Sequence, residues 1–269
     1  MFKARPRVTR WAPLVLDAID AEGWDYSAVP RLVLAASILA VIHNESNGVN
    51  DLGPNHASAY GLVQHLLYYF PKQAAESPEV HLRLMVRLVR DLLDDTGGYL
   101  PTALFARGSG PAAAGVWVES GDCKRYKWVC SSKGIPEGGH LEYFHKLHIE
   151  RIPAYSRWLT GWIEAGKPTE AQTIKQKART AKAGKKEYTI PAYSRTVQMA
   201  VHNHGKEGYD LPIDYDGTHR WKGQSRLYKK ATPTEGAGPT EETQGMSWWK
   251  IARLGAVAAV SALLFKRFI

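Results

Sequence analysis

The 269-residue sequence holds only two cysteines, Cys123 and Cys130. Their spacing is not a zinc pattern and no second pair completes a site, which excludes a zinc centre built on paired cysteines. The two can close a short disulfide loop in an oxidising compartment, or they can stay reduced thiols. The chain also lacks an uninterrupted apolar run of the roughly 20 residues that a membrane-spanning helix needs. The best internal stretch, Leu32 to Ile42, is bracketed by Arg31 and His43. No secretory h-region follows the basic residues Lys3, Arg5, Arg7 and Arg10, because Asp17 and Asp20 interrupt the segment behind them. A standard export signal is therefore not expected. Acidic residues are the minority, 26 against 35 Lys and Arg, for a net charge of +9. That excess suits an anionic surface: peptidoglycan with its acidic polymers, phospholipid headgroups, or nucleic acid.

What is present is mostly helical patterning in the first half. An apolar share of 44% is ordinary for a globular chain and supports a sizeable core there. Residues 11–22 set Trp11, Leu14, Val15, Ala18 and Ile19 at helical spacing, with Asp17, Asp20 and Glu22 on the other side and Gly23 as the stop. A second helix, from about Ala28 to Asn44, takes Ser27 as N-cap and Pro30 in its first turn. It is apolar on nearly all sides and reads as a buried central helix. Leu62 to Phe70 starts a third helix. Glu79 to Asp94 is a strong amphipathic helix whose arginines read as a solvated face. Tyr99 to Phe105 and Ala112 to Val118 are shorter helices, separated by Gly108-Ser109-Gly110-Pro111.

One carboxylate stands out. Glu45 closes the apolar central helix and faces a loop rich in Gly, Asn, Asp and Pro. A lone Glu sheltered by apolar neighbours can hold a proton near neutral pH and serve as a general acid. The reading requires that shelter and a groove bordered by Gln64; a Glu45 locked in an ion pair, or turned away from any such cleft, sinks it. Asp51 is a candidate second carboxylate, although an Asp ahead of Gly53-Pro54 also serves simply to form the turn. His43, Glu45 and His56 do not form a good zinc set, because positions two apart on a helix point to different sides. No metal and no cofactor are expected.

Glu45-Ser46, followed by Ser58-Ala59-Tyr60-Gly61-Leu62-Val63-Gln64, resembles the Glu-Ser and Gly-Ala-x-Gly-Leu-Met-Gln signature of the soluble lytic transglycosylases, members of the lysozyme-like superfamily. Ser58 replaces a usual Gly, Val63 replaces a usual Met, and the loop between the halves is one residue longer than the commonest form. The resemblance covers roughly residues 10–125. It implies a mainly α, lysozyme-like catalytic domain over 1–150. It also implies cleavage of the β-1,4 bond between N-acetylmuramic acid and N-acetylglucosamine, giving a 1,6-anhydro product. Glu45 would make both proton transfers, and Ser46, Ser58, Tyr60 and Gln64 would line the glycan site. The family then shows a Tyr-Leu turn, here Tyr99-Leu100, and an Ala-Tyr-Asn-Ala-Gly motif whose Tyr lies beside the acid. Ala113 to Gly121 is the candidate for that motif, with Trp117 at the Tyr position and Val118 at the Asn position. Trp117 would pack over a sugar ring or shield Glu45.

The second half is basic and irregular. Residues 122–150 read as a closing loop and a helix from about Gly138, with His145 and His148 as surface histidines. Residues 151–231 read as a basic helical and loop-rich region, within which Gly166 to Lys186 is either a basic helix or a solvated linker. Its functional reading is contact with nucleic acid or lipid headgroups. Ile152-Pro153-Ala154-Tyr155-Ser156-Arg157 recurs as Ile190-Pro191-Ala192-Tyr193-Ser194-Arg195, and each copy reads as a helix start. Residues 232–245 are a flexible linker. Residues 246–269 place Trp248, Trp249 and Lys250 before an apolar stretch closed by Lys266-Arg267, a membrane-anchor helix if flanking cations snorkel. A membrane-associated or virion enzyme acting at the cell envelope, as a phage enters its host, fits these features. The alternatives are an inactive lysozyme-like structural protein of a virion or membrane, bound to other virion proteins, and a nucleic-acid-binding injection protein.

Overall fold

The computed structural model describes residues 2–27, 29–53, 59–66, 76–95, 98, 100–109, 146–183 and 186–211. All lie within one unit of the chain, Met1–Ala231. The segments 112–145 and 212–269 fall outside them, and with them Trp117, Val118, both cysteines, His145, the linker and the tail. Among the described residues no helix is long and apolar enough to cross a membrane.

The architecture is helical with small antiparallel two-stranded sheets. A one-turn helix α1 (Pro6–Thr9) leads into α2 (Ala12–Ala21), which buries Leu14, Val15, Ala18 and Ile19 as its spacing predicts. Gly23, at φ 56°, ends it. The central helix α3 (Arg31–Ser46) is buried continuously from Val33 to His43. Its one hydroxyl in that run, on Ser37, donates to Val33 O at 2.8 Å, so no polar group there is stranded. The helix starts later than expected. Pro30 is extended at the N-cap position, and Ser27 does not cap. Trp24 Nε1 donating to Val29 O at 2.8 Å and Val29 N donating to Tyr26 O at 3.1 Å keep that segment in a turn.

Helix α4 (Pro78–Asp95) buries Leu82, Met85, Val86, Val89 and Leu93 against the core. Its arginines are not merely solvated. Arg83 Nε and Arg87 Nε each lie 2.5 Å from the Glu22 carboxylate, and Arg90 Nη2 donates to Glu22 O at 2.7 Å. They fasten α4 to the end of α2. Helix α5 (Leu100–Ser109) begins at Leu100 and runs past Phe105 through Arg107 and Gly108; Tyr99 lies outside the described residues.

The expected helix at Leu62 is a hairpin instead. Strands β1 (Ala59–Tyr60) and β2 (His65–Leu66) pair antiparallel, with Tyr60 opposite His65. Gly61 at φ 77° and Gln64 at φ 50° are both left-handed, which a helix does not permit. Gly61 is also confined by packing, since a Cβ there would stand 2.7 Å from His81 Cε1.

A π-helical turn, Lys146–Arg151, enters α6 (Ile152–Glu164), whose Tyr155, Trp158, Leu159 and Trp162 join the core. The basic region that follows is neither helix nor loop. Strands β3 (Thr169–Gln176), β4 (Arg179–Ala183), β5 (Lys186–Ile190) and β6 (Tyr193–Ala200) form β3–β6 and β4–β5 pairs. One register carries through both, Gln176 opposite Tyr193 and Arg179 opposite Ile190, so the four strands make one long ribbon. The first copy of the repeated hexapeptide therefore opens a helix, as expected, and the second lies at the β5–β6 junction of the ribbon. Ribbon residues Ile174, Met199 and Ala200 reach the main core.

Candidate functional site

The site is assembled at the C-terminal end of α3. Asn47 at φ 50° and Gly48 at φ 79° turn the chain off the helix axis. Asn47 N donates to His43 O at 3.2 Å, closing the helix. Gly48 has no room for a side chain, because a Cβ would strike the carbonyl oxygen of Arg7. Trp11 Nε1 and Arg10 Nη2 both donate to Gly48 O, at 3.0 and 3.1 Å. The last helical turn is thereby locked to α1 and α2, and Glu45 sits on it.

Glu45 is partly exposed, at 23% of its side chain, and its neighbour is a cation. Arg107 Nη1 donates to Glu45 Oε1 at 2.7 Å, with the arginine itself only 9% exposed. The other arm, Nη2, donates to Val63 O. This corrects the expected apolar shelter: a guanidinium, not a hydrophobic wall, faces the carboxylate. Arg107 sits in Ala106-Arg107-Gly108-Ser109-Gly110, which shares the Ala and Gly frame of the motif assigned above to Ala113–Gly121. Sequence reasoning overlooked Arg107, and that frame was the signal available.

Ser46 faces inward. Its hydroxyl lies 2.7 Å from Leu62 O, accepts from Gly48 N at 3.2 Å, and is buried. It joins the helix end to the hairpin turn and offers nothing to a glycan. Gln64 is 8% exposed, with Nε2 donating to Gly61 O at 2.9 Å. Tyr60 is buried as well, its hydroxyl 3.4 Å from Asp51 Oδ1 and its ring edge-on to His81. Ser46 is thus a structural hydrogen-bonder, and the polar groups of Tyr60 and Gln64 also bond within the scaffold. They are consumed by the turn that carries Leu62 and Val63. Ser58 and His56 lie outside the described residues, as does Trp117.

The Asp51 carboxylate is held by the ribbon. Arg179 Nη2 pairs with its Oδ1, and Lys177 N approaches Oδ2 at 3.4 Å, so it ties the loop to the ribbon. Among the described residues no group of three or more His, Cys, Asp or Glu is arranged to hold a metal.

Two buried histidines stand behind the pair. The rings of His65 and His81 meet edge to face at 4.6 Å, and His65 Nε2 lies 3.2 Å from His81 O. Burial, reinforced by the Arg107 charge, pushes His81 down to about 3. Burial, then the neighbouring His81 and Arg107, pushes His65 well below its ordinary value. Both are neutral at physiological pH, so Arg107 is the positive charge that Glu45 meets. On the far side of α3, His43 Nδ1 lies 2.7 Å from the Tyr155 hydroxyl and is lowered to about 4 by burial.

Chemically, the arrangement presents one carboxylate at the rim of a packed domain, oriented by an arginine that is itself fixed to a backbone carbonyl. Compared with known proteins, the chain matches no family model, no curated protein and no solved structure.

Proposed function

We propose that this domain is a peptidoglycan-cleaving lytic transglycosylase with Glu45 as its single acid and base. One observation carries the reading. The two halves of the signature are in contact: Ser46 Oγ reaches Leu62 O, sixteen residues on, at 2.7 Å, and Arg107 bridges Glu45 to Val63 O. Such contact is what a site built from both halves requires.

In this mechanism protonated Glu45 gives its proton to the glycosidic oxygen as the C1–O bond breaks. The N-acetyl carbonyl of the same muramic residue bonds to C1 and holds the positive charge, a substrate-assisted route that needs no second carboxylate. The Glu45 carboxylate then removes the C6 hydroxyl proton while O6 bonds to C1 and displaces the acetamido oxygen. A 1,6-anhydro end results, and Glu45 is again protonated. Protonation removes the carboxylate charge that the guanidinium pairs with, so the Glu45–Arg107 ion pair weakens and opens as the glycan enters, with Val63 O retaining the arginine nearby.

The same ion pair favours a second reading, in which a lysozyme-like domain serves a structural role without cutting. A zymogram on purified cell wall separates the two. Cleavage predicts clearing by the wild type, none by Glu45→Gln, and anhydro ends by mass spectrometry. A wild type that leaves the wall intact, or a Glu45→Gln variant that still clears it, removes the enzymatic reading. Delivery by a virion and anchoring through residues 246–269 complete the proposal, resting on the charge and hydropathy pattern alone.

A further inference from the structure

Beside the capped end of α3 lies a cavity of about 300 Å³, bounded by α1, the Gly48–Asp51 turn and strand β3. Glu45 is not among its lining residues, so the inference is independent of the cleavage reading. Three cations line it: Arg7, Arg10 and Lys175. Asp51 lines it too, but its carboxylate is already taken by Arg179.

Two of its lining residues carry a donor, closed off from the cavity itself, that lacks an acceptor among the described residues. Arg10 uses Nη2 on Gly48 O and rests its guanidinium 5.2 Å from the Trp11 ring, yet its buried Nε has no partner. Asn50, 8% exposed, has a buried Nδ2 in the same condition. Buried donors are nearly always satisfied, and one left unmade costs about 1–3 kcal/mol. Burial and the nearby Arg7 also hold Arg10 below its ordinary value. The three cations cluster positive charge around the cavity, and an oxyanion answers it.

We propose that this cavity binds a phosphate group, free or esterified to a small carrier. A tetrahedral dianion offers enough oxygens for two guanidiniums and an ammonium at once. The volume is at the lower end of small-molecule pockets and admits a compact phosphate ester.

The test uses the full chain. Thermal unfolding and calorimetric titration are run with inorganic phosphate, with glycerol phosphate, and with sodium chloride at matched ionic strength. Both phosphates are expected to raise the midpoint beyond the chloride control. The better binder identifies the source, free anion or ester. Arg7 and Lys175 are exposed, so Arg7→Ala/Lys175→Ala keeps the packed scaffold and is expected to weaken phosphate binding at least about tenfold. If that variant does not fold, Lys175→Ala alone is titrated, with a smaller loss expected. Equal stabilisation by chloride, or unchanged phosphate affinity in the variant, overturns the proposal.

Discussion

The Glu45–Arg107 pair lends itself to a double-mutant cycle. Glu45→Gln and Arg107→Met each remove one charge while keeping the length of the side chain. Exposed ion pairs couple by about 0.2–1 kcal/mol, whereas breaking a buried one costs about 3–5 kcal/mol. Here the arginine is 9% exposed and the carboxylate 23%, between those limits but nearer the buried one. Arg107→Met also strips Val63 O of its donor, a loss that the cycle cancels because it occurs with either residue at position 45. A coupling of about 2 kcal/mol is expected from urea unfolding of the four proteins, falling by less than half in 0.5 M salt. Coupling under about 0.5 kcal/mol would show that the pair is not formed in solution, and the argument that it must open for turnover would go with it.

Two further outcomes follow from the same region. Gly61→Ala puts a Cβ 2.7 Å from His81 Cε1 at φ 77°, so a loss of at least about 2 kcal/mol in chemical denaturation is expected; a neutral variant would contradict the hairpin. His43 and His81 titrate lower in the folded chain, about 4 and about 3, than in the unfolded one, 6.5. Their stabilisation is therefore complete above pH 6.5 and is lost as pH falls from 6.5 toward 4, by about 1.4 kcal/mol per pH unit for each histidine. His81→Asn should flatten that slope in urea titrations between pH 6.5 and 4.5, and an unchanged slope would refute the assignment.

Helices α2, α3 and α4 were legible because their apolar residues recur at helical spacing over many turns, and burial followed that spacing. The Leu62 run was not. Its apolar residues suit a helix, but two left-handed residues three positions apart bend it into a hairpin, and only Gly61 announces one of them. The ribbon was hidden by composition. Its outward positions are Lys and Thr, and its inner face mixes Ile174 with Gln172 and Gln176, so alternation is weak. At the site, Glu45 and the turn could be found from residue order. Their apolar surroundings could not, because Arg107 arrives from sixty-two residues away. The burial of Ser46, Tyr60 and Gln64 depends on how that turn docks, which no local pattern records.

The repeated hexapeptide shows how far context outweighs local sequence. After Ile152–Arg157 come Trp158, Leu159 and Trp162, apolar at helical spacing, and the copy coils into α6. After Ile190–Arg195 come Val197, Met199 and Val201 in alternation, and the copy extends. Pro191 donates nothing, and its carbonyl accepts from Gln176 Nε2 at 2.9 Å across the break in the ribbon. The two tyrosines then take different work. Tyr155 is fully buried against His43 Nδ1 at 2.7 Å, while half-buried Tyr193 meets Glu79 Oε1 at 2.9 Å. Tyr155→Phe leaves a buried imidazole nitrogen without its partner and is expected to cost about 2 kcal/mol. Tyr193→Phe lets water replace the lost bond and is expected to cost under about 1 kcal/mol. If denaturation ranks them the other way, the two copies do not occupy the environments described, and the assignment of the second to a strand fails.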